Sequence, residues 1–166
     1  PTEGNVSALN IPHASMVFDL HDTTELTAEL LNGGGLATEV VRYANIVSFT
    51  CLKAFAFDHR NARKDAHDLV YCLEHYPGGL DSVISAFNDA LAGSHAEAVQ
   101  EALAKLKTRF VHEDPDQSYR RDGAVAVARF EDNDADVDDN EEIRDLRILR
   151  QRQVADLMGQ FFAALA

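Results

Sequence analysis

Between Leu52 and Tyr76 the chain reads LKAFAFDHRNARKDAHDLVYCLEHY, and the spacing that could carry chemistry lies there. Lys53, Arg60, Arg63 and Lys64 supply cations, Asp65 and Asp68 supply carboxylates, and His67 sits between the two acids. Asp65 and Asp68 are three apart, so on a helix they share a face. Cations and acids converging at one corner have two uses. They can tie two helices together through ion pairs, which on pattern alone is the commoner outcome. They can also hold a polyphosphate, with Lys and Arg on the phosphate oxygens and Asp orienting them.

Either use needs two helices meeting at that corner. Leu52, Phe55 and Ala56 recur at i, i+3, i+4 and predict a core-facing stripe that leaves Lys53 off it. Asn45 is a good N-cap for a helix over 46–59. A second helix is expected over 64–76, with Leu69, Cys72 and Leu73 on its buried side and Pro77-Gly78-Gly79 as its stop. Arg60, Arg63 and Lys64 then fall at the junction.

This pattern, Leu-Lys, an apolar helix, Arg, a short basic loop and Lys-Asp-Ala-x-Asp-Leu, resembles the C-terminal half of AbiEii-type nucleotidyltransferases. These are minimal nucleotidyltransferase-fold proteins, many of them toxins of bacterial toxin–antitoxin and phage-abortive systems. The likeness is tight over 52–69 and loose over 26–165, where it takes in VRYANIVSFTCLKAFAFDHR, Arg109-Phe110 and Asp122 to Phe130. It implies that Lys53 and Asp65 belong to a nucleotide-binding active site, with Arg60 and Lys64 on the triphosphate and Asp68 and His67 supporting. It also implies an NTP substrate, Mg²⁺, an RNA or protein acceptor and a cognate antitoxin as partner.

The chain departs from that family in one large respect. The family's metal site is a Gly-Ser followed about ten residues later by Asp-x-Asp or Asp-x-Glu on a strand, where two divalent metals drive the transfer. The one Gly-Ser here, Gly93-Ser94, leads into a helical pattern with no such acids after it. The expectation is therefore a C-terminal portion of a longer enzyme, inactive by itself, or a relative that has lost catalysis. The opening Pro1-Thr2-Glu3-Gly4, without Met or a signal peptide, points to the former. Asp19 is a candidate third acid if it lies on a strand.

Two further readings stand beside this one. Arg60-Asn61 with His67 six residues on resembles the Arg-x-x-x-x-x-x-His motif of HEPN ribonucleases, in which Arg60 and His67 would cleave RNA with His67 as general acid or base. Alternatively, the helices form an interaction or regulatory module of a toxin–antitoxin system with no chemistry of its own.

The rest of the sequence bounds these options. The 166 residues carry Lys+Arg 15 against Asp+Glu 28, a net charge of −13, which disfavours a broad electrostatic grip on nucleic acid or an anionic membrane but leaves room for a local basic patch. No apolar run approaches the roughly 20 residues of a membrane span. Cys51 and Cys72, both in apolar helical contexts, read as buried free thiols of a reducing cytoplasm. Glu131 to Glu142 (EDNDADVDDNEE) holds eight acids and no base. As a calcium loop begun at Asp132 it fails twice, with Val137 where the turn needs Gly and Ile143 where a bidentate Glu is needed, so a solvated loop is expected.

The predicted fold is α+β and predominantly helical, with a small antiparallel hairpin before a helical bundle and a long C-terminal helix. Residues 1–44 form a lead-in, a strand over 13–20 and a hairpin of 26–31 and 36–43 around Gly33-Gly34-Gly35. Residues 45–130 form the helical domain, 131–140 the acidic loop and 141–166 the closing helix. Helices are expected at 82–91, at 96–111 and from about 140 to 164. Residues 112–122 read as loop, and 123–130 is ambiguous between helix and strand.

Overall fold

Asn45 begins the helical part as its position predicts: its side chain accepts the Ser48 amide at 3.0 Å, capping α1 (Ile46–Arg60). Asn61 ends that helix in the left-handed region at φ 51°, which Asn tolerates, and its amide closes on the Phe57 carbonyl. After this two-residue link come α2 (Arg63–Glu74), α3 (Gly79–Leu91), α4 (Ala96–Phe110), α5 (Asp122–Glu131) and α6 (Glu141–Ala164). The computed structural model describes residues 11–133 and 141–165. Most of the acidic stretch, and with it the calcium-loop register, falls outside the described residues.

The helices bury one core. α1 packs on α2 and α4, α2 on α5, and α6 lies over α5 and a 3-10 segment at Pro115–Arg120. Phe57, Phe87, Phe110 and Phe161 are fully buried, with Phe57 against Phe110 and Phe87 edge-on to Phe161. Residues 123–130 are helical. Gly123 is required there because a Cβ would stand 2.7 Å from the Phe110 ring.

A hairpin precedes the bundle. β1 (His21–Glu29) pairs antiparallel with β2 (Leu36–Ala44) in a two-stranded sheet, in register from His21 opposite Ala44 to Glu29 opposite Leu36. The glycine turn serves as expected, with Gly33 and Gly35 at φ 71° and 86°. The first arm starts five residues earlier than the predicted 26–31, because polar Asp22 to Glu25 pair with 40–43 whether or not they alternate in hydropathy. The strand expected over 13–20 is instead a 3-10 helix at Ala14–Phe18 that sets Met16 into the core. Ser48 Oγ then donates to the Leu20 carbonyl at 2.6 Å, fixing the join to α1.

Candidate functional site

The Asn61–Ala62 link is short enough to lay the start of α2 against the end of α1, and the predicted cluster assembles there. Lys53 Nζ reaches across from α1 to donate to Asp65 Oδ1 at 3.1 Å and Asp68 Oδ2 at 2.6 Å. Arg60 grips Asp65 with two parallel bonds, Nε to Oδ2 at 2.6 Å and Nη2 to Oδ1 at 2.7 Å. Lys64 donates to both oxygens of Asp68 at 3.0 and 2.8 Å, an i, i+4 pair on α2. Lys53 also stands 5.7 Å from the centroid of the Phe49 ring, one turn back on its own helix.

Burial differs across the cluster. The Asp65 side chain is 1% exposed and that of Asp68 19%, whereas Lys53 is 22%, Arg60 54% and Lys64 67% exposed. Asp65 thus lies inside with Arg60 over it, Lys53 and Asp68 share an intermediate depth, and Lys64 is outermost. Burial pushes the Asp68 carboxyl up, but the hydrogen bonds from Lys53 and Lys64 outweigh it and hold the group at about 2. Asp65 is likewise held low by Arg60 and Lys53 against its burial. Lys53 is raised, because its two carboxylate partners outweigh its own desolvation.

His67 faces elsewhere. Its ring lies 4.6 Å from that of Phe130 on α5 and 5.9 Å from Tyr71, with Nδ1 3.5 Å from Asp68 Oδ1. Arg60 and His67 therefore sit on different helices, separated by the left-handed Asn61, and are held by different acids. Asp19 is not on a strand; it closes the Ala14–Phe18 3-10 helix, is largely exposed and accepts from His95 Nε2 at 2.8 Å. Gly93-Ser94 leads into α4. Cys51 is buried, which pushes its thiol up to about 12, while Cys72 is only half-buried.

One arrangement had no signal in the sequence. Arg150 on α6 donates bidentately to Glu74 at 2.6 and 2.9 Å and to both Glu131 oxygens at 2.8 Å, joining α2, α5 and α6. Its partners are 76 and 19 residues away, beyond the reach of any local spacing rule.

Among the described residues, no three His, Cys, Asp or Glu side chains stand close enough together to hold a metal ion. Asp65 and Asp68 do not fit Mg²⁺, since their oxygens already accept from Lys53, Arg60 and Lys64. No helix is long and apolar enough to cross a membrane among the described residues. No family model, curated protein or solved structure matches the chain.

Proposed function

We propose that these helices form the triphosphate side of an AbiEii-like nucleotidyltransferase, which moves a nucleotidyl group from an NTP to RNA or protein. The observation that carries this reading is the α1–α2 corner itself, where the buried Asp65 and half-buried Asp68 hold Lys53 and the more exposed Arg60 and Lys64. Buried carboxylates orient cations whose outer N–H groups remain free for an anion, which is what triphosphate binding requires. In this reading Lys53, Arg60 and Lys64 contact phosphate oxygens. Asp65 positions Lys53 and Arg60, and Asp68 positions Lys53 and Lys64. Metal coordination would fall to carboxylates of another part of the enzyme. The β1–β2 hairpin, which exposes Leu26, Val41 and Tyr43 on one face and Val40 on the other, would offer a surface on which that part could seat. A toxin of this type would also meet a cognate antitoxin.

A second reading has an observation of its own. Each of the three cations already has a carboxylate partner, so the corner can be a structural tie within a non-catalytic interaction module. Equilibrium binding of a fluorescent NTP with Mg²⁺ separates the two. The nucleotide reading expects saturable binding that weakens about tenfold in Lys64→Ala, as loss of one charge-assisted bond implies. Failure of all four NTPs to bind the wild-type chain, or unchanged binding when Lys53 and Lys64 are both replaced, would leave only the tie.

A further inference from the structure

Acids outnumber bases 28 to 15 in this chain, yet several cations have no carboxylate partner. Among the described residues Lys107, Arg120 and Arg152 have none within ion-pair distance. These three come from α4, from the 3-10 segment and from α6; Lys107 and Arg152 line one open groove, and Arg120 stands beside it against Tyr119, which lines it too. Its floor holds Val111, Pro115, Ala155 and Phe162, and Gly159 leaves it clear by having no side chain.

Tyr119 stands at the centre of the cationic side. The Arg120 and Arg152 guanidinium carbons lie 5.2 and 5.1 Å from its ring centroid. Arg120 Nε donates to the phenol oxygen at 2.8 Å, so the phenol keeps its own hydrogen to donate. The same contacts lower the acidity threshold of that phenol, Arg120 contributing most. Two acids also line the groove. Asp156 accepts from Gln160 at 2.9 Å, and Asp116 opens the 3-10 segment. Lys107 and Arg152 thus balance the two acids of the lining, and Arg120 adds a third cation beside the groove through its contact with Tyr119.

Arginine, lysine and phenol donors beside an apolar, aromatic-bearing floor match a ligand with a phosphate at one end and a flat ring at the other. We infer that the groove between Pro115–Arg120 and the C-terminal half of α6 is a nucleotide-phosphate site. It takes a free nucleotide or a unit of a single strand through Arg120, Arg152, Lys107 and the Tyr119 hydroxyl. This site is independent of the α1–α2 corner and stands whether or not that corner binds NTP.

The test is fluorescence anisotropy at low ionic strength on the whole chain, with labelled AMP and a labelled short oligouridylate as probes. The wild type should bind at least one probe, and Arg120→Gln with Arg152→Gln together should weaken it at least tenfold. Tyr119→Phe should weaken it less, and Arg129→Gln, an exposed cation on α5, should leave it unchanged. AMP binding as tightly as the oligomer marks a free-nucleotide site. Binding of the oligomer alone, with a log K against log salt slope near −1.4 for about two phosphates, marks a strand site. The inference is overturned if neither probe binds, or if the double variant binds as the wild type does while its circular dichroism is native. It is also overturned if Lys64→Ala abolishes the signal, which would place the ligand at the other corner.

Discussion

The α1–α2 corner and the β1–β2 hairpin handle their surfaces in opposite ways. At the corner, even the charges have partners: Asp65 is nearly inaccessible, and Lys53 and Arg60 close over it. In the hairpin, Leu26, Leu36, Val40, Val41 and Tyr43 all stay exposed, and beyond its root it is joined mainly to itself. A lone two-stranded sheet is at best marginally stable in water. The helices therefore account for their own stability through burial, while the hairpin's apolar surface finds no such burial among the described residues. In the proposed function the corner would take a small polar ligand and the hairpin a larger partner.

The comparison breaks most readily by truncation. Phe87→Ala in the bundle should cost about 3–5 kcal/mol in urea unfolding, whereas Val40→Ala in the hairpin should stay within about 0.5 kcal/mol. Equal costs would mean that the hairpin carries the fold. Asp65→Asn should come next, at about 3 kcal/mol, because it strips a buried carboxylate from Lys53 and Arg60, and the half-exposed Arg60 keeps the loss at the low end. The exposed Lys64→Ala should cost less than about 1 kcal/mol by the same measurement. Gly123→Ala should lower the thermal midpoint by an amount equivalent to about 1–3 kcal/mol, since its Cβ meets the Phe110 ring. Gly159→Ala in α6 meets no atom within 4 Å and should raise it slightly. A further effect is in pH. Asp68 is depressed in the fold from an ordinary value of 3.8 to about 2. Its contribution is complete above the unfolded value and disappears as pH falls from about 4 towards 2. That loss should be about 1 kcal/mol after solvent screening, and absent in Asp68→Asn.

Much of this was legible in local patterns. The Asn45 cap, the stop at Pro77-Gly78-Gly79 and the stripes of α4 and α6 fixed those helices to within a few residues, because caps and periodicity act over a turn or two. The meeting of Lys53, Arg60, Lys64, Asp65 and Asp68 was also readable, since a two-residue link leaves α2 little choice but to fold back on α1. Four features escaped. The segment at 13–20 is apolar enough for a strand, but burial of Met16 and the Leu20–Ser48 contact select a tight helical turn. Residues 123–130 alternate small and branched side chains, and packing against Phe110 decides for helix. The Arg150 bridge and the Lys107–Arg120–Arg152 groove join residues far apart in sequence, so neither leaves a mark in local spacing.

The most direct test of the nucleotide reading is a residue-resolved one. Amide chemical shifts of the isotope-labelled chain should be followed while Mg²⁺ and ATP are added together, with Mg²⁺ alone as the reference. The account predicts saturable shifts in residues 53 and 60–68, lost in Lys53→Met, with the hairpin amides unmoved. Shifts confined to other regions, or none at all at saturating nucleotide, would contradict it and leave the α1–α2 corner as a tie between two helices.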